Sequence, residues 1–239
     1  MQVVLPGVLT VGTDPTFPPF ESMNGAAVQG FDVDLAKAIG RELRLAVSFS
    51  NQSSSTLIPQ LNAGAFDIIM SGMTITPALS SEIAFSQPYI DANLAIVAER
   101  GMMSTLDGND PFAADSVLSG KTVGVVSGSM GELWVRENLR RVKQVLVFDS
   151  TKAAFSALDA GKFDALVDNL PISSFLVTTS YPGVEVIAEI PTSVRYGIGI
   201  ATNKPDLKRV VDEALQRVID SGEYNAIFTK WFVPKARSK

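Results

Sequence analysis

Leu61-Asn62-Ala63-Gly64-Ala65-Phe66-Asp67-Ile68-Ile69 returns about 97 positions later as Leu158-Asp159-Ala160-Gly161-Lys162-Phe163-Asp164-Ala165-Leu166. Each copy reads as the end of an amphipathic helix, a Gly stop, a Phe-Asp turn and a buried strand. A short period would indicate a solenoid. A single recurrence at this distance points instead to two lobes built alike, with a ligand expected in the cleft between them.

Working outward, Val8 to Gly12 reads as a strand that runs into the loop Thr13-Asp14-Pro15. Phe31, Leu35, Ala38, Ile39 and Leu43 keep helical spacing, and Asp32 and Asp34 sit near the helix start, where the dipole favours anions. Leu45 to Phe49 reads as a strand, Ser53-Ser54-Ser55 as the cap of a helix carrying Leu57, Ile58 and Leu61, and Ile68-Ile69-Met70 as a buried strand. Strand and helix alternate, which implies a parallel sheet covered by helices. The same order restarts with Thr122 to Val126, a turn at Ser127-Gly128-Ser129, a helix from Gly131 to Leu139, and the strand Val145 to Phe148. A helix over Ala153 to Leu158 and a strand over Ala165 to Val167 complete it. Leu94 to Ala98 and Tyr196 to Ala201 are apolar strands at the junctions, expected to cross between the lobes. A helix from Pro205 to Ser221 and a short one carrying Ile227 and Trp231 close the chain.

Composition narrows the function. Of 239 residues, 46% are apolar and 19% charged, enough for sizeable cores and against disorder. The formal charge is −5 without a Lys/Arg block, which disfavours nucleic acid and anionic membranes as partners. The chain has no Cys and no His. Disulfides, thiolate zinc sites, thiol nucleophiles and a Ser-His-Asp triad are excluded, and no metal or cofactor is expected. No uncharged apolar run reaches the roughly 18 residues of a membrane span. The start, Met1-Gln2-Val3-Val4-Leu5-Pro6, is too short for a signal peptide and is expected to be a mature secreted chain given an initiating Met.

Gly30-Phe31-Asp32-Val33-Asp34-Leu35, then Phe66-Asp67-Ile68-Ile69-Met70-Ser71-Gly72-Met73-Thr74-Ile75-Thr76, then Phe85-Ser86-Gln87-Pro88-Tyr89, resemble the extracellular solute-binding proteins of polar amino-acid ABC importers. The resemblance continues through Lys121-Thr122-Val123-Gly124-Val125 and Gly197-Ile198-Gly199-Ile200-Ala201 to Lys230-Trp231-Phe232. It implies a two-lobed α/β fold, with lobe one at residues 1–93 and 198–239, lobe two at 99–192, and hinge crossings at 94–98 and 193–197. It also implies a monomer in the periplasm or outside the cell, held near the membrane by a partner or anchor. Such a protein captures a small organic molecule, an amino acid or an amino-acid-like compound, by closure and delivers it to the membrane components of an importer. Two rivals remain: the ectodomain of a receptor such as a histidine kinase, and an enzyme like the superfamily's dehydratase. The latter would need a general acid, for which Asp14 and Asp168 are the candidates.

By this resemblance Asp14, Phe17, Ser71, Gly72, Met73, Thr74 and Leu79 from lobe one, and Ser129, Met130 and Asn169 from lobe two, are the expected ligand-binding residues. Ser71 to Thr74 follows a strand's C-terminal end, where open α/β sheets present groups to ligands. Gly128-Ser129-Met130-Gly131 lies between strand and helix, where free N–H groups favour an anion. Yet the family's usual anchors for an α-amino acid are replaced. Leu79 stands where an Arg fork holds the carboxylate, Asn169 where an acid meets the ammonium, and Met130 at a frequent Thr position. A pocket less charged than usual is expected, with Arg195 a candidate for a relocated cation.

Overall fold

The computed structural model describes residues 2–103 and 111–233. Residues 1, 104–110 and 234–239 of the expected lobe ranges lie outside the described residues. By internal contacts the chain divides into two units, Met1–Asp91 with Val194–Val233, and Ala92–Ser193.

The first unit opens with β1 (Val8–Thr13), the short meander β2 (Thr16–Phe17), β3 (Glu21–Asn24) and β4 (Ala27–Gln29), then α1 (Phe31–Leu43) and β5 (Ala46–Asn51). It continues through α2 (Ser54–Asn62), β6 (Ile68–Ile69), α3 (Pro77–Ser80), β7 (Ala84–Phe85) and β8 (Ile90–Asp91). The second unit holds β9 (Leu94–Glu99), α4 (Pro111–Val117), β10 (Thr122–Val126), α5 (Met130–Asn138) and β11 (Gln144–Phe148). After these come α6 (Thr151–Asp159), β12 (Ala165–Asn169), α7 (Leu170–Thr179) and β13 (Val184–Ile190). The chain then returns to the first unit with β14 (Arg195–Tyr196), β15 (Gly199–Ile200), α8 (Pro205–Asp220) and α9 (Glu223–Phe232).

The two main sheets share one plan. Their orders are β5-β1-β6-β15-β7 and β11-β10-β12-β9-β13. In each, the first three strands are parallel, as the βαβ order requires. The fourth and fifth run antiparallel to their neighbours. These fourth strands are the apolar segments expected as crossings. Leu94–Glu99 runs inside the second sheet between β12 and β13, buried from Leu94 to Ala98. Tyr196 to Ala201 is split, with Arg195–Tyr196 pairing to Ile90–Asp91 and Gly199–Ile200 entering the first sheet. Both faces of these strands are buried, with Leu94, Ile96 and Ala98 in one core cluster, Ala95 and Val97 in another, and Gly199 and Ile200 also buried, which is why both segments read as continuous hydrophobic runs.

The repeated nonapeptide acquires a physical meaning here. Gly64 and Gly161 stop α2 and α6 at φ +78° and +66°, a conformation that costs a side-chain-bearing residue free energy. The following Phe turns under the first parallel strand. A Cβ on Gly12 would lie 2.4 Å from the Phe66 ring, and one on Gly124 would lie 2.4 Å from Phe163. Each Phe therefore requires a Gly opposite it. The Asp then stitches the strands together. Asp67 accepts from the Thr10 N–H at 2.9 Å, from its hydroxyl at 2.6 Å and from the Val4 N–H at 2.9 Å. Asp164 accepts from the Thr122 N–H at 2.7 Å. The copies differ in depth: Asp67 is fully buried, while the Asp164 side chain is 38% exposed.

No helix among the described residues is long and apolar enough to cross a membrane.

Candidate functional site

In the first unit, β1 and β6 deliver Asp14 and Ser71 to neighbouring positions at their C-terminal ends. The Asp14 N–H donates to the Ser71 hydroxyl oxygen at 3.0 Å, and that hydroxyl donates to Glu21 Oε1 at 2.9 Å. The Asp14 carboxylate accepts from the Ser54 N–H at the start of α2 at 2.8 Å, and from the Thr16 hydroxyl at 2.8 Å. Helix N-termini favour anions, and here the chain supplies its own. Gly72 has φ +55°, and a Cβ there would lie 2.7 Å from the Phe17 ring, so the aromatic side chain rests directly on the turn. Phe17 in turn stacks on Phe20, centroids 5.3 Å apart. Thr74 bridges to Tyr196, flanked by Ile75 N–H to Arg195 C=O at 2.8 Å and Gly197 N–H to Met73 C=O at 3.0 Å. Arg195 itself is exposed on this edge.

Met73 and Leu79 go elsewhere. Both are partly buried against an apolar cluster built on Leu57, Leu61, Phe66, Ile69, Ile83, Phe85 and Ala201. Thr76 caps the short α3 by accepting from the Leu79 N–H at 3.2 Å, which fixes the residue's backbone while its side chain joins Ile58 and Ile75. The structure thus brings Asp14, Phe17, Ser71 and Gly72 together, while Met73 and Leu79 pack against the apolar cluster instead.

In the second unit, Ser129 caps α5 by accepting from the Glu132 N–H at 3.1 Å. The Glu132 carboxylate accepts from the N–H of Gly128, the residue before the cap, at 2.8 Å, one position earlier than in a capping box. Hydrogen bonds from Arg136, then from Gly128, hold the Glu132 carboxyl below its usual range. A negative charge therefore already sits where the sequence suggested an anion site. Met130, the first residue of α5, is exposed. Asn169 caps α7, accepting from the Ile172 N–H at 3.3 Å. Asp168 is buried, and burial raises its carboxyl pKa, partly offset by the Thr151 hydroxyl and the Asn169 N–H. Replacing Ser129 by Ala removes one cap and is expected to cost about 1 kcal/mol, measured as a drop of a few degrees in the thermal midpoint.

Sequence reasoning missed a third feature, lying under the Ser71–Gly72 turn. Glu21 and Asp32 are 0% and 1% exposed. Asp32 Oδ2 accepts from the Gly72 N–H at 2.9 Å and the Tyr89 hydroxyl at 3.0 Å. Burial, then the neighbouring Asp32, pushes Glu21 up to about 11. Burial raises Asp32 to about 6, opposed by its bonds from Gly72 and Tyr89. Asp32 and Asp34 share one helix start yet do different work, since Asp34 is taken by Lys230 and by the Trp231 indole N–H at 2.8 Å. No periodicity marks Glu21. Only contacts spanning 50 and 40 residues, Glu21 to Ser71 and Asp32 to Gly72, reveal the pair.

Residues 9–234 match the family model of bacterial extracellular solute-binding proteins, family 3. The ABC transporter arginine-binding protein 1 of Escherichia coli (strain K12) is 31% identical over 232 residues, covering 94% of this chain and 90% of that protein. A probable histidine-binding protein of Neisseria gonorrhoeae is 30% identical over 230 residues, covering 94% and 83%. Among solved structures, an ancestral cationic amino acid solute-binding protein matches with a TM-score of 0.82 at 31% identity, over 95% of this chain and 96% of that one. The chain belongs to the bacterial extracellular solute-binding proteins, family 3.

Proposed function

We propose that this chain is a periplasmic or extracellular binder, without catalysis of its own, that captures a small amino-acid-like molecule and hands it to an ABC importer. The two units, Met1–Asp91 with Val194–Val233 and Ala92–Ser193, act as lobes, and the chain junctions between them act as the hinge. Ligand shifts the population toward a closed state because it touches groups of both lobes only there. Asp14, Phe17, Ser71, Gly72, Met73, Thr74 and Leu79 serve from one lobe, and Ser129, Met130 and Asn169 from the other. The protein works as a monomer.

The single observation that carries the specificity is Leu79. The family resemblance puts a carboxylate-gripping Arg at this position, and the side chain present is packed against the apolar cluster built on Leu57, Leu61 and Phe66. The Glu132 carboxylate at the start of α5 repels a second anion there. Burying a zwitterion against such a surface leaves charges unpaired, at several kcal/mol each. The ligand is accordingly less charged than a free amino acid, or carries its charges differently spaced. A binder is also favoured over a dehydratase-like enzyme by the state of the two candidate acids. Both Asp14 oxygens already accept hydrogen bonds, and Asp168 is buried.

Calorimetric titration with Arg, Lys, Glu and Gln is expected to show weak binding or none. Submicromolar affinity for any of them would mean that carboxylate and ammonium are held by other groups, Arg195 first among them.

A further inference from the structure

We propose that Glu21 and Asp32 share one proton and act together as the positioning pair of the Ser71–Gly72 turn, whose ligand-facing role rests on the reading above. Four carboxyl oxygens meet here. Glu21 Oε1 is satisfied by the Ser71 hydroxyl, and Asp32 Oδ2 by Gly72 and Tyr89. Glu21 Oε2 and Asp32 Oδ1 are buried and meet no protein donor, yet the two carboxyl groups lie within hydrogen-bonding reach of each other. Two acceptors can satisfy one another only if a proton lies between them.

The surroundings exclude the doubly charged alternative. Among the described residues, no Lys or Arg forms an ion pair with either carboxyl. The groups acting on the pair are acidic or neutral. Asp14 faces Glu21, Tyr89 donates to Asp32, and Tyr196 and Tyr224 stand behind Tyr89. Two like charges in contact away from water repel strongly, so one member must stay neutral. Asp32 is the ionised one, because it accepts from Gly72, Tyr89 and the Glu21 hydroxyl. Glu21 is the neutral one. Its Oε2–H donates to Asp32 while its Oε1 receives Ser71.

The link to the turn is direct. Gly72 hangs from Asp32 through its N–H, and Ser71 ties Glu21 to the Asp14 backbone. Loss of the shared proton would break the central bond and load both supports of the turn with repelling charge. The sign follows from proton binding. The folded pair keeps its proton over a range where the unfolded chain has lost it. Its contribution to stability is therefore full below the ordinary carboxylate range. It declines as pH rises through about 6 for Asp32 and toward about 11 for Glu21.

Carbon-13 NMR of the side-chain carboxyls in the full-length, ligand-free protein tests the proposal without any variant. The Glu21 carboxyl carbon is expected to hold its protonated shift through pH 8, while that of Asp32 moves at lower pH. A Glu21 signal that titrates with the surface glutamates overturns the proposal. Hydrogen exchange at the Gly72 amide then reads positioning. Glu21→Gln keeps a neutral donor and acceptor, and should keep Gly72 protected. Its thermal midpoint should rise relative to the parent as pH goes from 6 to 10. Glu21→Met keeps the size but no hydrogen bond, and should raise exchange at Gly72 by about tenfold or more. Equal protection in both variants, or parallel pH curves for Glu21→Gln and parent, overturns the positioning role. Because every readout is taken without ligand, the pair can be refuted independently of the binding function, and the reverse.

Discussion

Replacing Phe66 with Ala is expected to lower the thermal midpoint by about 10 °C, from a loss of roughly 3–5 kcal/mol spread over a chain of this size. Phe66 is fully buried, and its ring fills the space that Gly12 leaves open beneath β1. Truncation empties that space, and the backbone of a strand paired on both sides, to β5 and β6, cannot move in to close it. The following Asp67 would also lose its fixed approach to Thr10 and Val4. The equivalent Phe163→Ala is expected to cost less. Phe163 is 7% exposed and its Asp164 reaches solvent, so water and neighbouring side chains can relax into the gap. Differential scanning calorimetry of both variants checks this. Equal shifts would mean that the deeper burial of the first copy carries no energetic weight.

Restoring the missing anchors is expected to change what the protein binds. Leu79→Arg supplies a planar donor fork, and Asn169→Asp supplies a counter-charge for an ammonium. Their structural costs are unequal. Asp caps a helix as well as Asn, so Asn169→Asp leaves the start of α7 capped. Leu79→Arg puts a cation against the apolar cluster and is expected to cost about 1–3 kcal/mol, softened because the long side chain can reach toward water. If both residues meet one ligand, the two charges gain partners together when a zwitterion binds. Affinity for at least one common amino acid should then rise about tenfold to a hundredfold, the worth of one or two charge-assisted hydrogen bonds. Thermal shifts with an amino-acid panel provide the readout. A folded double variant that ignores the whole panel would remove Leu79 and Asn169 from the ligand-binding residues, leaving Leu79 to the apolar cluster alone.

The legible parts of the sequence were those with local or repeated patterns. The nonapeptide marked the helix–strand junction of both units because its Gly, Phe and Asp each answer a fixed need: a left-handed stop, a ring under a Gly, and an acceptor for the next strand. Helical spacing exposed α1 and α8, whose apolar faces bury Leu35 and Ile39, and Leu207, Val211 and Leu215. The β2–β3–β4 meander was not legible, since Pro18, Pro19 and Gly25 interrupt any alternation and its strands are two to four residues long. The antiparallel fourth strands were read only as apolar junctions, because a run buried on both faces does not say which sheet it enters. Of the candidate site, the placement of Ser71 and Gly72 just after a strand was legible. Its support was not. Glu21 and Asp32 acquire their roles only when the fold brings β3 and the start of α1 beneath that turn. The Ser129 cap with its bond from the Glu132 N–H was within reach of sequence reading, because Ser-x-x-Glu before a helix is a local signal.

The most direct measurement is mass spectrometry of the small molecules released when the protein, purified from its native source without added ligand, is denatured. A single stoichiometric compound lacking the free α-carboxylate and α-ammonium pair is the expected result. Stoichiometric release of arginine, or of any other standard amino acid, would contradict it.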